Sequence, residues 1–158
     1  MPVLYPRADP LDPTSVFDLA SFVPDVVIVV LGGNDFNPGQ PEDDGPTSVP
    51  AFTDAYDAFV AQLRGAYPQA HLFLTLPSML TDDPGRPRRQ NVWAAIQAVV
   101  QRRAGAGDVR VHGFAPKPAA PGELDACGWH GGLRYHARVA SELLPVVEEQ
   151  TGWKRSGG

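Results

Sequence analysis

A short apolar run that ends in a glycine turn constrains the fold of this chain more than any other feature. Residues 26–31 are Val, Ile and Leu only, which predicts a strand buried on both faces of a parallel sheet. The sequence Gly32-Gly33-Asn34-Asp35 cannot continue that strand, because paired glycines allow a tight turn and the Asn and Asp side chains can hydrogen-bond there. Ligands of open α/β sheets bind just beyond the carboxyl ends of the strands. The turn is therefore a candidate site, although polar turns without function also end many strands.

Segments with helical and strand periodicity alternate after this turn. Apolar residues recur at three- and four-residue spacing in the predicted helices, and they alternate or run together in the predicted strands. In chain order these elements are helix 52–65, strand 71–76, helix 87–103, strand 109–113 and helix 133–149. The β-α-β-α-β-α order predicts an α/β fold, with a parallel sheet and helices on both faces. Three strands are few for such a fold, so we expect that one or more N-terminal strands are missing from this chain.

The chain divides into three predicted parts. Residues 1–24 carry five prolines and form an irregular lead-in with one short helix at 16–22. Residues 25–150 form the domain, and residues 151–158 form a C-terminal tail. Within the domain, the polar segment 36–48 is long enough to be the rim of a binding site, although a flexible surface loop would have the same composition.

Composition and charge argue against several classes of function. A net charge of −5 without a basic stripe predicts no nucleic-acid partner. The longest wholly apolar run, 26–31, is far shorter than a transmembrane helix, so no membrane partner is predicted either. The N-terminus has neither the basic start nor the apolar core of a signal peptide. The single cysteine, Cys127, cannot form an internal disulfide. The sequence predicts neither an oligomeric state nor a compartment.

Two polar loops fall at the same edge of the predicted sheet. One carries Asn34, and the other carries His130 just before the last helix. A histidine can act as general base toward a serine hydroxyl, and an asparagine amide can donate a hydrogen bond to the oxyanion of a tetrahedral intermediate. The pair therefore indicates acyl transfer, whereas a lone histidine is more often structural.

The same residues carry a resemblance to a known family. The Gly32-x-Asn34-Asp35 pattern after an apolar strand resembles the third conserved block of the SGNH (GDSL-type) hydrolases, and His130 before the last helix resembles the fifth. The sequence Cys127-Gly-Trp-His-Gly-Gly, with His136 six residues after the first histidine, is similar to the late block of carbohydrate esterase family 2. In those acetyl esterases, which act on plant polysaccharides, the block reads approximately Cys-Asp-Trp-His-Pro-Asn. The segment before Gly32 also resembles that family.

The resemblance implies a three-layer, flavodoxin-like fold and a role for each matching residue. Asn34 would be an oxyanion donor and His130 the general base, while Asp35 would hold the turn. Gly33 and Trp129 would contribute to substrate binding, although a packing role suits Trp129 equally well. The implied substrate is a small-molecule or polysaccharide acetyl ester, with no cofactor and no metal. The parent family is mostly secreted.

The departures from the family pattern concern the nucleophile and the acid. The family's nucleophile is the serine of a Gly-Asp-Ser block, which does not occur in these 158 residues, and the second-block glycine has no evident counterpart. The positions that carry an orienting Asp in related enzymes are Cys127 and Gly128 here. Asp125 is a possible substitute, and a main-chain carbonyl could orient the imidazole equally well. Glycines at 131 and 132 replace Pro-Asn, which we expect to loosen the turn.

These observations lead to two readings of the function. In the first, the chain is the C-terminal part of a carbohydrate O-acetyl esterase that uses Ser-His acyl transfer, and it is inactive alone. In the second, it is a non-catalytic carbohydrate-binding or vestigial domain. There are three further alternatives: a replacement nucleophile at Ser78, a Cys127–His130 thiol pair, and a metal site of His130, His136 and Asp125.

The sequence also bears on stability. An unpaired apolar edge on strand 26–31 would favour aggregation or marginal stability of the chain.

Overall fold

Three parallel strands and three long helices make up the part of the chain that the structure, a computed structural model, describes, namely residues 2–36 and 47–154. The strands lie side by side in the order β1-β2-β5. They are β1 (Val26–Val30), β2 (His71–Thr75) and β5 (Val111–Phe114). The helices are α1 (Val49–Ala66), α2 (Arg88–Gly105) and α3 (Leu133–Thr151). Between β2 and α2, the two short strands β3 (Asp82–Asp83) and β4 (Arg86–Pro87) pair antiparallel.

The helices cover both faces of the sheet, as the sequence predicts. Alternate residues of a strand point to opposite faces, so Leu72 and Leu74 face α1 and α2 while Phe73 faces α3. The first face packs into a large core with Val60 of α1 and Val92, Ile96 and Val99 of α2, all of which are fully buried. The second face forms a smaller core of Phe73, Phe114 and Leu143. The parallel α/β architecture is therefore confirmed.

The first helix shows how the sequence sets these elements. Ser48 caps α1 by accepting a hydrogen bond from the N–H of Ala51 at 3.3 Å, and a proline lies in the first turn. Apolar residues at three- and four-residue spacing turn one face of α1 to the sheet. At the other end, the Arg64 guanidinium binds the main-chain carbonyls of Tyr67 and Ala70 and the carboxylate of Asp108. The helix is thereby fixed to the start of β2 and β5.

The first strand lies at an edge of the sheet and is covered on one face only. Val29 is 6% exposed toward α1 and α2, whereas Ile28 and Val30 are 51% and 52% exposed on the face toward α3. The sequence predicts burial on both faces, and that expectation is wrong for this face. The reason is that α3 packs on Phe73 and Phe114 of the inner strands, with only Val26 of β1 reaching that core.

Local structure differs from the sequence prediction at several points. The expected helix at 16–22 is only a 3-10 turn, Leu19–Ser21, which Asp18 caps by accepting from the N–H of Ala20. The β3–β4 hairpin lies between the predicted strand 71–76 and the predicted helix 87–103, and it includes Pro87, the residue at which that helix was predicted to begin. Helix α3 contains Pro145 and continues to Thr151, the first residue of the predicted tail. Of the predicted rim 36–48, residues 37–46 lie outside the described residues. No helix within residues 2–36 or 47–154 has the length and apolarity needed to cross a membrane.

Two histidines meet across β2 and β5. Nδ1 of His71 lies 3.0 Å from Nε2 of His112, and the rings stack with an interplanar angle of 10°. This contact needs one nitrogen to accept, so it is lost when both rings are protonated. Burial lowers the pKa of both imidazoles. The positive charge of Arg110 adds to this effect at His71, and His71 itself adds to it at His112.

This pair predicts a loss of stability in mild acid. Because the pKa of each ring is lowered in the fold, the unfolded chain takes up protons first as the pH falls below the ordinary histidine value of 6.5. The free energy of unfolding should therefore be fully retained above that pH and decrease below it. Urea midpoints at pH 7.5 and 5.5 measure the decrease, which should be smaller in His112→Gln. A His112→Gln variant with the same pH dependence as the parent chain would contradict the assignment.

Candidate active site

The glycine turn after β1 forms because no other residue fits at its first position. Gly32 has a φ of +102°, and a Cβ there would lie 2.8 Å from Cγ1 of Val92 and 3.1 Å from Cζ of Phe52. The turn can therefore lie directly on α1 and α2. Phe36 then returns to the core at an exposed fraction of 5% and packs edge-on against Phe52 at 5.1 Å between ring centroids. Asn34 lies between the buried residues Gly32 and Phe36, and its own side chain is exposed.

His130 follows a 3-10 turn, Cys127–Trp129, whose backbone turns back on itself. Gly128 and Trp129 have φ values of 64° and 62°, and such a conformation costs a non-glycine residue about 1–2 kcal/mol. The turn brings the carbonyl oxygen of Cys127 to 2.8 Å from Nδ1 of His130. A carbonyl can only accept, so Nδ1 donates and carries the proton of the neutral ring. The Nε2 atom is therefore the nitrogen that can take up a proton.

The two glycines after His130 are tightly packed. Both are buried. A Cβ at Gly131 would lie 2.5 Å from Cδ1 of Tyr135, and a Cβ at Gly132 would lie 1.6 Å from Oδ1 of Asp125. The N–H of Gly131 also donates to Oγ of Ser78 at 3.2 Å. The expectation that Gly-Gly loosens this turn is wrong, because the absence of side chains is what allows the close packing.

An ion-pair network holds the loop that carries His130 on α3. The carboxylate of Glu123 accepts from Nε of Arg138 at 2.8 Å and from the N–H of Ala120 at 2.7 Å. Arg138 also binds Glu142 one turn further along α3, at 2.9 Å. These hydrogen bonds, chiefly the one from Arg138, lower the pKa of Glu123 to about 2. The main-chain carbonyl of Glu123 in turn accepts from the N–H of Gly132 at 2.8 Å, which ties the network to the turn after His130.

Replacing Glu123 with glutamine should loosen this loop. Because the folded pKa lies below the ordinary value of 4.5, the carboxylate stabilises the fold above that pH, and its contribution is lost as the pH falls toward about 2. In Glu123→Gln at neutral pH, we expect amide hydrogen exchange at Gly132 to rise by about an order of magnitude, because a charge-assisted pair is gone. The loss of stability between pH 4.5 and 2 should also shrink. Glu142→Gln is the matched control, with a smaller effect; equal effects would contradict a special role for Glu123.

The two loops meet at one groove. Gly33, Asn34, Ser78 and His130 all line a groove of about 640 Å³ at the carboxyl end of β1 and β2. The structure therefore brings together the candidate base, the candidate oxyanion donor and the turn glycine that were recognised 97 residues apart in the chain, from Gly33 to His130. The hydroxyl of Ser78, the alternative nucleophile, also lines this groove, where it accepts a hydrogen bond from the N–H of Gly131 at 3.2 Å.

Two other candidate residues lie outside this groove. The Asp125 carboxylate lies 3.6 Å from the guanidinium of Arg134. The hydrogen bond from Nδ1 of His130 goes to the Cys127 carbonyl instead of to Asp125. The Trp129 side chain is 79% exposed and extends into solvent beside the histidine. Among the described residues, no three His, Cys, Asp or Glu side chains are close enough to share a metal ion, so His130, His136 and Asp125 are not grouped as the alternative metal site requires.

Comparison with known proteins identifies the family. The sequence profile of the GDSL-like lipase/acylhydrolase family matches residues 5–140. The chain belongs to this family. The recognised turn and the recognised histidine both lie inside the matched segment, which supports the SGNH resemblance. The two features that this chain shares with the SGNH pattern are the glycine turn after β1 and the histidine before α3.

Curated relatives within this group are esterases. The chain is 28% identical over 138 residues to cellulase/esterase CelE of Acetivibrio thermocellus, covering 87% of this chain and 16% of the relative. It is also 28% identical over 137 residues to the acetylxylan esterase/glucomannan deacetylase of Cellvibrio japonicus, covering 87% of this chain and 34% of the relative. The chain therefore spans about a third or less of these curated relatives.

A solved structure confirms the GDSL-like fold. The carbohydrate esterase family 2 enzyme of Corynascus thermopiles (Myceliophthora fergusii), solved with a carbohydrate-binding domain, is 29% identical. It superimposes with a TM-score of 0.82 over 97% of this chain and 45% of its own. More than half of that enzyme thus has no counterpart in residues 1–158.

Sequence reasoning missed the residues that position the histidine loop. The contact of Ser78 with Gly131 joins residues 53 apart, and no local pattern indicates it. The Glu123–Arg138 pair was also missed. The sequence does indicate part of this network, because the spacing of Arg138 and Glu142 places opposite charges on one face of α3. That spacing does not indicate that Glu123 in the loop also binds Arg138.

Proposed function

We propose that this chain carries the general base and an oxyanion donor of an esterase that removes acetyl groups from carbohydrates. The observation that carries the proposal is the hydrogen bond from Nδ1 of His130 to the Cys127 carbonyl at 2.8 Å. It fixes the tautomer in which Nε2 is free to accept a proton, and it fixes the ring at the groove that also contains Asn34. A main-chain carbonyl thus does what an aspartate does in a Ser-His-Asp triad.

The chemical steps follow from this arrangement. Nε2 of His130 takes the proton from a serine hydroxyl as its oxygen attacks the acetyl carbon, and the oxyanion formed accepts a hydrogen bond from the side-chain amide of Asn34. The imidazolium then gives its proton to the sugar oxygen that leaves. In the second half, His130 takes a proton from a water molecule as the water oxygen attacks the acetyl-serine. The imidazolium then returns this proton to the serine oxygen, which regenerates the hydroxyl and releases acetate.

The attacking serine is not assigned to this chain. The sequence contains no Gly-Asp-Ser block, and the hydroxyl of Ser78 is hydrogen-bonded to the N–H of Gly131 rather than to His130. We therefore propose that residues 25–150 act as the C-terminal part of an SGNH esterase domain, after the lead-in 1–24, and that the isolated chain has no esterase activity. Removing one member of a Ser-His unit costs up to about 10⁶-fold in turnover.

A carbohydrate ester is the substrate class that the site supports best. The named activities of the relatives, acetylxylan esterase and glucomannan deacetylase, support an acetylated polysaccharide. In this chain, Trp129 directly precedes His130, its indole is exposed, and its backbone has a strained positive φ. Strain at an exposed aromatic residue beside a candidate base is typical of a functional position. Trp129 would offer a flat apolar surface to a sugar ring whose ester lies in the groove beside Gly33.

The second candidate function is binding of carbohydrate without hydrolysis. The same exposed indole favours it, because a platform for a sugar ring needs no nucleophile. The two proposals differ in the role of His130. It is essential for turnover in the first and dispensable for ligand binding in the second.

A hybrid enzyme tests the proposal. In this hybrid, residues 2–154 replace the part of the Myceliophthora fergusii esterase that they cover, so that the remainder of that enzyme is present in the same polypeptide. Hydrolysis of 4-nitrophenyl acetate and release of acetate from acetylated xylan are then measured. We expect activity in the hybrid and none in the chain alone. A folded hybrid that binds xylan oligosaccharides without releasing acetate would favour the binding function instead.

A further inference from the structure

The two paired histidines of the sheet lie at the end opposite to the groove. His71 is the first residue of β2 and His112 is the second residue of β5, whereas the groove lies at the carboxyl end of the strands. Because Phe73 pairs with His112 in register, and alternate residues of a strand share a face, both imidazoles lie on the face of the sheet toward α3. The pair is therefore separate from the candidate active site.

The two rings meet at their nitrogen-bearing edges. Nδ1 of His71 and Nε2 of His112 are 3.0 Å apart, the ring centroids are 5.2 Å apart, and the ring planes differ by only 10°. Two nitrogens that bind one metal ion at about 2.0–2.1 Å lie about 2.8–3.0 Å apart at a right angle and about 3.3–3.4 Å apart in a tetrahedral site. The observed separation matches the first arrangement and is a few tenths of an ångström short of the second.

Both imidazoles are available as neutral ligands near pH 7. Burial lowers the pKa of each ring, and the neutral imidazole is the form that binds a metal ion. One ring now donates its N–H to the other, so on metal binding that ring moves its proton to its remote nitrogen. The remote nitrogens are Nε2 of His71 and Nδ1 of His112. Each ring then keeps one proton, and a small rotation directs both lone pairs at one ion.

The surroundings hold these two ligands but supply no third protein ligand. Parallel pairing fixes β2 against β5, and the Phe73 ring packs on His112 at 4.8 Å between centroids. Across the part of the chain that the structure describes, no three His, Cys, Asp or Glu side chains are grouped for a metal ion. Both histidines are half-buried and so remain in reach of solvent. Water molecules would therefore fill the other coordination positions.

We propose that His71 and His112 form a two-imidazole binding site for a divalent transition-metal ion, which links β2 to β5. The nearby charges narrow the choice of ion. Asp108 favours positive charge at His112, whereas Arg64 disfavours it at both rings and Arg110 at His71. The ion therefore has to gain its affinity from bonds to imidazole nitrogen. Mg²⁺ and Ca²⁺ prefer oxygen ligands, and Cu²⁺ binds nitrogen sites more tightly than Ni²⁺ or Zn²⁺, so Cu²⁺ is the preferred ion.

Copper binding to the full chain tests the site directly. The probe is Cu²⁺ alone, added to the metal-free chain at neutral pH. Electron paramagnetic resonance should show one bound ion with two nitrogen ligands. The equilibrium constant for unfolding should fall about 100-fold at a free Cu²⁺ concentration of about 100 times the Kd. His112→Gln should bind Cu²⁺ about 100-fold less tightly, because a single imidazole has no chelate advantage.

The double variant His130→Gln/His136→Gln is the matched control. It removes the other two histidines of the chain and should keep both the two-nitrogen spectrum and the stabilisation by Cu²⁺. None of these measurements uses hydrolysis, so their outcome is independent of the proposed esterase.

Nitrogen NMR of the parent chain with Zn²⁺ identifies the ligand atoms without a variant, which covers the case in which His112→Gln does not fold. We expect the ¹⁵N resonances of Nδ1 of His71 and Nε2 of His112 to shift, while the remote nitrogens stay protonated. The proposal is overturned if neither ion binds, if His112→Gln keeps the parent affinity, or if the double variant loses copper binding. A spectrum with a single nitrogen ligand, or Zn²⁺-dependent shifts at His130 or His136 instead, would overturn it as well.

Discussion

Replacing His130 with alanine in the hybrid enzyme should lower the turnover of acetyl esters by roughly 10⁴- to 10⁶-fold while the fold is retained. The effect is large because His130 lines the groove together with Asn34 and Gly33, and its Nε2 is the nitrogen that can accept the serine proton. The imidazole is exposed and its loop is held by Gly131, Gly132 and Glu123. Its removal therefore should not disturb the core, and equal melting temperatures of the two proteins would check this.

A second variant shows which group orients the imidazole. Asp125 lies against Arg134, and the Cys127 carbonyl accepts from Nδ1, so Asp125→Asn in the hybrid should keep turnover within about threefold of the parent. A loss of about 10⁴-fold, as occurs when the triad aspartate of a serine protease is replaced, would instead make Asp125 the orienting acid. Turnover that survives His130→Ala would contradict its role as general base.

Replacing Gly32 with alanine should destabilise the chain by about 3 kcal/mol. Two costs add at this position. The φ of +102° is strained for a residue with a Cβ, at about 1–2 kcal/mol. The new methyl would also lie 2.8 Å and 2.9 Å from the two methyl groups of Val92, and overpacking of a buried site costs about 1–3 kcal/mol. Urea denaturation at pH 7.5 measures the sum.

Gly107 provides the matched control for this prediction. It has a φ of +86° but no atom within 4 Å of a Cβ placed there, so Gly107→Ala should cost only the conformational part, about 1 kcal/mol. The difference between the two variants isolates the packing of the glycine turn against α2. Equal losses for both variants would show that the turn can move away from Val92 and that its position is not fixed by this contact.

The helices and strands that were predicted from the sequence are those whose hydrophobic pattern lies within one short segment of the chain. The three-residue and four-residue periodicity of α1 and the apolar run of β2 are set by the faces that they bury, so their positions are readable along the chain. The half-exposed face of β1 was not predictable in the same way. Burial of Ile28 and Val30 depends on a neighbour that no residue within the described ranges supplies, whereas the composition of the strand indicates a fully enclosed position.

The candidate site was predictable to the extent that its residues lie in short motifs. Asn34 and His130 were recognised from the turn and block that contain them, and the fold brings both to one groove. The partner of Nδ1 was not predictable, because the Cys127 carbonyl reaches it only through positive φ values at Gly128 and Trp129. The packing of Gly132 against Asp125 was likewise not predictable, because it depends on the path of the loop as well as on the absence of a side chain at position 132.

The central claim, that this chain supplies the base but not the nucleophile of an ester hydrolase site, is tested most directly by covalent labelling. The chain alone and the hybrid enzyme are each treated with a serine-directed alkyl fluorophosphonate, and the labelled residue is located by mass spectrometry of proteolytic peptides. We expect no label on residues 1–158 in either protein and a single labelled serine in the remainder of the hybrid, with labelling strongly slowed by His130→Ala. A phosphonylated Ser78, or a label on any other residue of this chain that depends on His130, would contradict the claim.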